Sequence, residues 1–478
     1  MLISSEKRRI MAKQHVHQGK SNVNYYEKLR DILKKKNARV HFSGIGGVSM
    51  YSLARLSLEL GISVSGSDRF HGDRVHDLVT RGVSVSTGHS ADNVRGADVL
   101  VYTHALGEKN PELLAAAELG ILTVSRAEYM GYLMMKYKSR IGVSGSHGKS
   151  TTTAILERIF SEALTDPTVL SGAALECAEP IRLGGDDILI YEACEYKDSF
   201  LSFSPTIALA LNLELDHTDY FESIEALRTS FEKAMSKAAK FAVVNYDDEN
   251  LLKIVNNVKK RTKVVTFGQN PGAEYRYFIT SFAEVGFEFS LYKFGEELAC
   301  FKLNVPGIHN VSNAVAAIII AIEFGLDIPT VRRAVSSFSG IAGRLEKIGE
   351  RRGRAVYYDY AHHPTEIAAS INAVKLLCHE PVTVVFKPHT FSRTKSLWED
   401  FRSSLSLADH VILTDIYPAR EDPIEGINSR RLAEEIGEHA VFSPDSEVTQ
   451  RLDEQSKGCI VLMGAGDLDA VRYDVLNK

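Results

Sequence analysis

Short apolar runs alternate with amphipathic helical patterns along most of this 478-residue chain. Residues 38–44 have the pattern of a buried strand, and Pro111 opens a helix that Gly120 closes. The same alternation starts again at Ser139 and near Gly340. Repeated strand–helix units predict parallel sheets that are covered by helices on both faces. The alternation therefore predicts an α/β chain, and at about 150 residues per domain its length fits three domains.

Residues 263–305, within the second series, carry short alternating strand patterns in place of helices. Alternation of apolar and polar residues is typical of antiparallel strands, whose sheet packs one face against a core and exposes the other to water. We therefore predict a small antiparallel sheet beside the parallel one.

Composition and charge exclude several classes of protein. The chain has 56 Lys+Arg against 61 Asp+Glu, a net charge of −5, which argues against a protein built mainly to coat nucleic acid. It has no run of about 20 apolar residues, so we expect no membrane span. The cysteines lack close CxxC spacing, which predicts free thiols in a reducing compartment rather than disulfides or a zinc site. They are Cys177, Cys194, Cys300, Cys378 and Cys459. We therefore expect a cytoplasmic protein without nucleic-acid or membrane partners.

The most informative stretch is the strand, glycine turn and helix over residues 140–164. Gly145 and Gly148 let backbone N–H groups converge on an anion at the helix N-terminus. Lys149 is placed to reach the β- and γ-phosphate oxygens of a nucleotide, and the Ser150 hydroxyl to join a Mg²⁺ shell. The spacing is GxxGKS, shorter than the common GxxxxGK[ST]. The alternative is a glycine turn that merely caps a helix, but the register of strand, Lys, Ser and helix favours a phosphate site.

Two polar clusters follow the next strand patterns of this series. Glu192, with Glu195 after it, comes just past one strand, and Asn212, Asp216 and His217 come just past another. Ligands of doubly wound sheets collect at the carboxyl ends of the strands. Glu192 and His217 are therefore predicted to approach the same Mg²⁺-nucleotide. Each of them alone would also fit a helix cap or a loop-bonded histidine.

A second glycine turn, with Gly44, Gly46 and Gly47, ends the first strand pattern. It is similar to the dinucleotide fingerprint GxGxxG, except that Ser49 occupies the third glycine position. Asp68 closes the next strand, where an acidic residue can bind a ribose. Alone, this turn would fit an NAD-dependent oxidoreductase, which would not need a second phosphate loop. Two nucleotide-type sites suggest that one holds ATP and the other a nucleotide-linked substrate.

Motifs in a fixed order over residues 40–468 resemble the Mur ligase family. They are HFSGIGGVSM, GSHGKSTTT, EACEYKDSF, LNLELDHTDYF, VPGIHNVSNAVAA, GRLEKIG, DYAHHPTE, FKPHTFSRT, DIYPAREDP and MGAGD. Within the family, the combination of GIGG, DYAHHPTE and PHTFSRT is similar to the member that acts first on UDP-N-acetylmuramate.

The resemblance implies both a fold and a reaction. It implies a Rossmann-like UDP-sugar domain, a central P-loop ATPase-like ATP domain and a Rossmann-like amino-acid domain. The strand–helix pattern places them in residues 1–138, 139–339 and 340–478, and composition gives the first a basic N-terminal arm over 1–37. The resemblance implies an ATP-dependent ligase that joins L-alanine to UDP-N-acetylmuramate through an acyl phosphate in peptidoglycan precursor synthesis, with Mg²⁺ as cofactor. The implied protein is a monomer or homodimer. Two alternatives are a recycling ligase that attaches a tripeptide to the same sugar nucleotide, and a catalytically silent nucleotide-binding protein.

The resemblance also assigns site residues, motif by motif. The ATP-binding residues are Gly145, Ser146, His147, Gly148, Lys149, Ser150, Thr151, Asn310, Asn313, Arg344 and Asp359. The catalytic residues are Lys149, Glu192 and His217, and the magnesium ligands are Ser150, Glu192 and His217. The UDP-sugar residues are Gly44, Gly46, Gly47, Ser67 and Asp68. The amino-acid residues are His362, His389 and Arg393, of which the arginine suits a carboxylate because its guanidinium binds bidentately.

A few positions leave details open. Gly343 and Thr390 stand where other members carry arginine, so the preference for alanine over glycine or serine stays open. His362 and His363 follow a strand, so an extended backbone would turn their side chains apart, and at most one would face the site cleft. Lys197 lies in the magnesium region, and we assign it no role.

Overall fold

The computed structural model describes residues 22–175, 179–218, 220–282, 285–419 and 421–477. Its strands form three sheets of five, ten and six strands. The predicted three-domain α/β fold is confirmed, while the boundaries at 138 and 340 stay predictions. Most of the predicted N-terminal arm lies outside the described residues. Within the described ranges, no helix is long and apolar enough to cross a membrane.

The N-terminal sheet is parallel, with the strand order β3-β2-β1-β4-β5. Its strands are β1 (Arg39–Ser43), β2 (Ser63–Asp68), β3 (Ser84–Thr87), β4 (Val99–Tyr102) and β5 (Leu122–Ser125). Its helices are α1 (Asn22–Leu33), α2 (Val48–Glu59), α3 (Asp73–Thr80), α4 (Pro111–Leu119) and α5 (Arg126–Leu133). The order reverses between β1 and β4, and ligands of doubly wound sheets bind beyond the strand ends at such a point. The glycine turn that follows β1 lies there.

The central sheet has the order β15-β14-β13-β12-β11-β10-β6-β9-β7-β8. Its strands are β6 (Ser139–Ser144), β7 (Thr168–Leu170), β8 (Ile181–Arg182), β9 (Ile188–Glu192), β10 (Ile207–Ala210), β11 (Phe241–Asn245), β12 (Lys263–Gly268), β13 (Tyr275–Phe282), β14 (Phe287–Lys293) and β15 (Glu296–Leu303). Its helices are α6 (Lys149–Glu162), α7 (Ile224–Met235), α8 (Glu249–Val258), α9 (Ile308–Phe324) and α10 (Ile328–Ser337). Parallel pairing places β6 between β9 and β10, so the loops after these three strands meet at one edge.

The strands of residues 263–305 do not form the separate antiparallel sheet that the sequence predicted. β12 pairs in parallel with β11, and β13 continues the sheet through a short parallel pairing of Phe267 with Tyr275. β14 pairs antiparallel with β13 on one side and with β15 on the other. The residues of β12 from Val265 to Gly268 are all buried, which is the pattern of a parallel strand covered on both faces.

The C-terminal sheet has the order β16-β17-β21-β18-β19-β20. Its strands are β16 (Glu346–Arg351), β17 (Arg354–Asp359), β18 (Val382–Lys387), β19 (His410–Leu413), β20 (Ala440–Phe442) and β21 (Cys459–Gly464). Its helices are α11 (Pro364–Leu377), α12 (Phe391–Ser396), α13 (Trp398–Leu405), α14 (Ser429–Ile436), α15 (Val448–Asp453) and α16 (Asp469–Asn477). The sheet is parallel except at β16, which pairs antiparallel with β17.

Helix α9 shows how the core positions the site. Its residues from Ala314 to Ala321 are all buried, and the helix packs against α6 and β14. A helix that is apolar all round belongs in a core rather than on a surface. Burial of its middle therefore fixes its polar first turn against the start of α6.

The prediction that all cysteines are free thiols is wrong. Cys378, which caps α11, forms a disulfide with Cys459 at the start of β21. Their Cα atoms are 6.5 Å apart although 81 residues separate them in sequence, so the pairing follows from tertiary packing that no local spacing reveals. Cys194 and Cys300 are free, and Cys177 lies outside the described residues.

Candidate active site

The glycine turn after β6 wraps the N-terminus of the 14-residue helix α6. Gly145 and Gly148 have φ of 147° and 83°, values that favour glycine. A Cβ atom added at Gly148 would lie 2.5 Å from Oδ1 of Asn313, the buried amide in the first turns of α9. Close packing therefore requires glycine here, and the turn leaves the positive end of a helix free for an anion.

Lys149 folds back over this turn. Its Nζ donates to the carbonyls of Gly145 and Ser146, and it lies 3.1 Å from Oε2 of Glu195. The Glu195 side chain is only 2% exposed. Burial lowers the pKa of Lys149, but the Glu195 carboxylate outweighs burial and raises it above its ordinary value. The ammonium is therefore held charged beside the anion site.

His217 and Glu195 come together at the same edge. Nε2 of His217 lies 3.8 Å from Oε1 of Glu195 and 3.9 Å from Oδ2 of Asp216. The Glu192 carboxylate, at the end of β9, reaches the loop that follows the neighbouring strand β7. There it accepts from the Ser171 hydroxyl at 2.9 Å and from the backbone N–H of Gly172 at 2.6 Å. The structure thus brings Glu192 and His217, the two predicted magnesium-site residues, to one edge of the sheet.

Glu195 belongs to this candidate site, although the sequence pattern did not single it out. It contacts Lys149 directly, whereas Glu192 contacts the neighbouring strand end. The signal in the sequence was the pair of glutamates three residues apart, and only the fold shows that one of them faces the lysine.

His147, in the middle of the phosphate loop, joins the central and C-terminal domains. Its Nδ1 lies 3.1 Å from Glu366 of α11, and its Nε2 lies 3.2 Å from Glu214 of the central domain. Burial lowers the pKa of His147, but the two carboxylates outweigh burial and raise it to about 9. Its backbone exchanges two hydrogen bonds with the Asn212 side chain, at 2.8 and 3.0 Å. The loop is therefore fixed from both domains.

The other predicted ATP residues lie around this loop. Ser146 donates through Oγ to the Glu214 carbonyl, and Ser150 and Thr151 form the first turn of α6. Asn310 and Asn313 share one face of α9, since the Asn313 amide donates to Oδ1 of Asn310 at 3.1 Å.

Arg344 and Asp359 lie beside each other in the C-terminal domain. The Arg344 guanidinium stacks over Tyr360 at 5.3 Å. Asp359 is buried and accepts from the Ser370 hydroxyl and the Ala361 N–H. Burial raises the pKa of Asp359 to about 6, and the nearby Arg344 charge opposes this.

Replacing Asp359 with Asn is expected to flatten the pH dependence of stability. The folded state binds this proton more tightly than the unfolded state, because the pKa rises from 3.8 to about 6. The free energy of unfolding of the wild type should therefore fall as pH rises through this interval, by roughly 3 kcal/mol, and stay lower above it. Urea denaturation of both proteins at pH values from below 3.8 to above 6 measures this. Parallel curves for the two proteins would contradict it.

The predicted amino-acid residues form a second cluster. Arg393 lies 3.1 Å from Oδ1 of Asp216 through Nη2 and 3.3 Å from Nδ1 of His389 through Nη1. Burial, with the Arg393 charge, lowers the pKa of His389 to about 4, so the imidazole is neutral near pH 7. The Thr390 hydroxyl accepts from the Arg393 N–H as the N-cap of α12. A partly buried arginine therefore faces the central domain from the C-terminal one.

His362 and His363 contact different partners, as neighbours in extended backbone should. The His362 ring lies 6.3 Å from the His389 ring, whereas the His363 ring lies 4.7 Å from the His147 ring. Both therefore face site residues, and the prediction that at most one would do so is wrong. The reason is that His363 caps α11 at the domain contact, so its side of the backbone also meets the phosphate loop.

The N-terminal glycine turn is built mostly from backbone contacts. The N–H groups of Gly44 and Ile45 donate to the Ser67 carbonyl, and the Gly46 N–H donates to Oδ2 of Asp68 at 2.8 Å. The Asp68 carboxylate therefore holds the turn itself. The Ser67 hydroxyl is buried and donates to Glu112 at 2.8 Å, so it points away from the turn.

Sequence models of one family match three consecutive segments of the chain. The Mur ligase family catalytic domain matches residues 39–138, the Mur ligase middle domain matches residues 143–321, and the Mur ligase glutamate ligase domain matches residues 343–466.

Curated relatives match nearly the whole chain. The UDP-N-acetylmuramate–L-alanine ligase of Caldicellulosiruptor saccharolyticus is 40% identical over 445 residues, which are 91% of this chain and 97% of the relative. The ligase of the same name from Acetivibrio thermocellus is 40% identical over 453 residues, 92% of this chain and 96% of the relative.

Solved structures of ligases are also similar to this chain. The UDP-N-acetylmuramate–alanine ligase of Thermotoga maritima is 27% identical with a TM-score of 0.77, and the match covers 91% of this chain and 97% of that one. A murein peptide ligase of Psychrobacter arcticus, 23% identical with a TM-score of 0.68, covers 92% and 98% and shares the fold.

Proposed function

The chain belongs to the Mur ligase family, and from that premise we propose that it joins L-alanine to the lactyl carboxylate of UDP-N-acetylmuramate. ATP is the co-substrate and leaves as ADP and phosphate. The observation that carries this proposal is the 40% identity, over 91% of the chain, to relatives named for that reaction. We assign the reaction to peptidoglycan precursor synthesis in the cytoplasm, where ATP and nucleotide sugars are made.

The chemistry requires activation, because a carboxylate is a poor electrophile. A carboxylate oxygen attacks the γ-phosphorus of ATP, the bond to the bridging oxygen breaks, and ADP leaves. The amine of alanine then attacks the carbonyl carbon of the acyl phosphate, phosphate leaves with the electron pair of the C–O bond, and the amine gives up a proton. Such transfers depend mainly on positioning and charge stabilisation.

We assign the triphosphate to the turn that carries Gly145, Gly148 and Lys149. The positive end of α6 and the Lys149 ammonium both favour negative charge there. As the γ-phosphorus is transferred, charge builds up on its oxygens, and a fixed ammonium stabilises that charge without reorganising. The Glu195 carboxylate supports this role because it holds Lys149 in its charged form.

The donor set around this turn fits Mg²⁺, which prefers oxygen ligands and accepts few protein contacts. We propose that Ser150, Glu192 and His217 hold the ion, directly or through water, with the Glu195 carboxylate beside them. When bound, Mg²⁺ neutralises phosphate charge and polarises the γ-phosphorus. The chain's own residues orient the nucleotide and exclude water from the reacting atoms.

We propose that Arg393 binds the carboxylate of alanine, with His389 and His362 beside it. In the present structure one of its N–H groups contacts Asp216, and a guanidinium has donors enough to bind a second carboxylate. This arrangement would place the amino acid at the contact between the central and C-terminal domains, on the side where the triphosphate loop also lies.

Replacing Arg393 with Lys is expected to raise KM for alanine about tenfold or more, because an ammonium cannot form the bidentate hydrogen bonds that a guanidinium forms with a carboxylate. The KM values for ATP and the sugar nucleotide should change little. Steady-state kinetics with each substrate varied in turn measures the effect. Arg402→Lys, at a partly exposed arginine paired with Glu399, is the matched control. An unchanged KM for alanine would remove Arg393 from the amino-acid site.

The proposed function is tested by leaving out one component at a time. Complete mixtures of ATP, Mg²⁺, UDP-N-acetylmuramate and L-alanine should release phosphate and form the alanyl product, which mass spectrometry detects. Phosphate release that does not depend on both acceptors would reject the assignment.

The same assay separates the tripeptide ligase alternative. Replacing alanine with the tripeptide should abolish product formation if the proposal is right. Efficient use of the tripeptide with none of alanine would assign the chain to the recycling reaction instead. Glycine and serine in place of alanine test the amino-acid preference that Gly343 and Thr390 leave open.

A further inference from the structure

Three side chains with metal-binding atoms meet where the phosphate loop touches helix α11. They are His147 and Glu214 of the central domain and His363 of the C-terminal domain, and their donor atoms all lie within 4.8 Å of one another. We propose that they form a binding site for one divalent transition-metal ion of the zinc class, which links the two domains. The inference rests on this geometry and does not depend on the proposed function.

The spacing of the donors suits one ion. Nε2 of His147 lies 3.2 Å from Oε2 of Glu214, and Nδ1 of His363 lies 3.7 Å from the same oxygen. Tetrahedral zinc with bonds of 2.0–2.1 Å separates its ligand atoms by about 3.3 Å. Small movements therefore bring three protein donors onto one ion and leave a fourth position open to water.

The surroundings of the ligands also fit a metal. Nδ1 of His147 contacts the Glu366 carboxylate at 3.1 Å, so Nε2 is the nitrogen that faces Glu214, in the carboxylate–histidine arrangement that orients metal-bound imidazoles. Glu214 accepts from the Thr365 hydroxyl at 2.7 Å. Metal binding exchanges the Nε2 proton of His147 for the ion, and that proton leaves to solvent.

His363 provides a second, independent observation. Its side chain is 7% exposed, and in the part of the chain that the structure describes its Nε2 atom has no hydrogen-bond partner. Buried polar atoms normally have a partner. One ring nitrogen of this buried imidazole is therefore unsatisfied, and the other, Nδ1, accepts a long hydrogen bond of 3.4 Å from the Thr365 N–H, so a metal ion would complete its bonding.

An access path leads to the cluster. Glu214, His363 and Thr365 line a cavity of about 760 Å³ between the central and C-terminal domains, which is large enough for a hydrated ion to enter. The two imidazoles favour zinc, cobalt or nickel over magnesium, which prefers oxygen ligands. The proposed site is therefore chemically distinct from the magnesium site at Ser150, Glu192 and His217.

Calorimetric titration of the full chain with ZnCl₂, after a chelator has removed metal, tests the proposal without any substrate. We expect one site per chain, with affinity at least tenfold weaker in His363→Asn and in Glu214→Gln. Asn is a favoured N-cap residue, so His363→Asn keeps the start of α11. His76→Asn, at an exposed histidine in the N-terminal domain, is the matched control and should leave the affinity unchanged.

Thermal unfolding gives a second measurement, because an ion that binds only the folded state raises Tm. Zinc should raise Tm of the wild type and of His76→Asn but not of His363→Asn. The visible spectrum of the Co²⁺-loaded wild type should show the strong absorption of four-coordinate cobalt, and this absorption should be lost in Glu214→Gln. Absence of binding, or binding that both cluster variants leave unchanged, would overturn the proposal.

Discussion

Replacing Lys149 with Ala is expected to lower kcat by about 10²–10³-fold or more, or ~3–4 kcal/mol of transition-state stabilisation. In the structure, the Lys149 ammonium lies in the turn that we assign to the triphosphate, and Glu195 keeps it charged. Its charge should act mainly on the oxygens of the phosphoryl group as that group is transferred. The loss should therefore appear in kcat more than in the KM of the sugar nucleotide. Steady-state release of phosphate, with all substrates saturating, measures it.

The control for this prediction is Lys138→Ala. The Lys138 side chain is 82% exposed and pairs with Asp187 at the surface, so its removal should leave kcat unchanged. Because Lys149→Ala leaves the buried Glu195 carboxylate without its partner, Tm of the variant should be measured alongside its activity. A folded Lys149→Ala protein with a rate close to that of the wild type would remove Lys149 from the proposed phosphate site.

Replacing Glu112 with Ala is expected to lower the free energy of unfolding by about 3–5 kcal/mol. Glu112 is 0% exposed and accepts hydrogen bonds from the Ser43 and Ser67 hydroxyls and from the Asn93 amide, with His89 at 3.1 Å. Burial raises the pKa of Glu112, but these donors and the nearby His41 outweigh burial and lower it to about 2. Truncation would leave several buried donors unpaired at the base of the glycine turn.

Urea denaturation near neutral pH measures this loss. Since the folded pKa is depressed, the contribution of Glu112 should be complete above pH 4.5 and should be lost as pH falls toward about 2. Glu118→Ala is the matched control, because it changes an exposed glutamate on the same helix α4 and should have almost no effect. Equal destabilisation by the two variants would show that the buried network does not hold the domain together.

Local sequence patterns were enough to predict the parallel cores and the phosphate loop. Pro111 and Gly120 bound α4 in the structure as the sequence predicted, because proline and glycine act through their own backbone preferences. The loop from Gly145 to Lys149 could be predicted equally well, because its glycines, its lysine and the start of the helix fall within a few residues. Features of this kind are encoded locally and need no knowledge of the fold.

Contacts between distant segments could not be predicted in this way. The Cys378–Cys459 disulfide depends on packing of α11 against β21, and the contact of Glu366 with His147 joins residues 219 positions apart. Glu195 was visible in the sequence, but the choice between it and Glu192 depends on which carboxylate the fold turns toward Lys149. Periodicity alone also gave no means of telling that β12 continues the parallel sheet.

The central claim is that ATP phosphorylates the lactyl carboxylate of UDP-N-acetylmuramate before alanine attacks. It is tested most directly with sugar nucleotide that carries oxygen-18 in that carboxylate, followed by mass spectrometry of the released phosphate. Transfer of the γ-phosphoryl group to a carboxylate oxygen predicts that each phosphate formed with the alanyl product contains one labelled oxygen. Alanyl product that forms while the phosphate remains unlabelled would contradict the account.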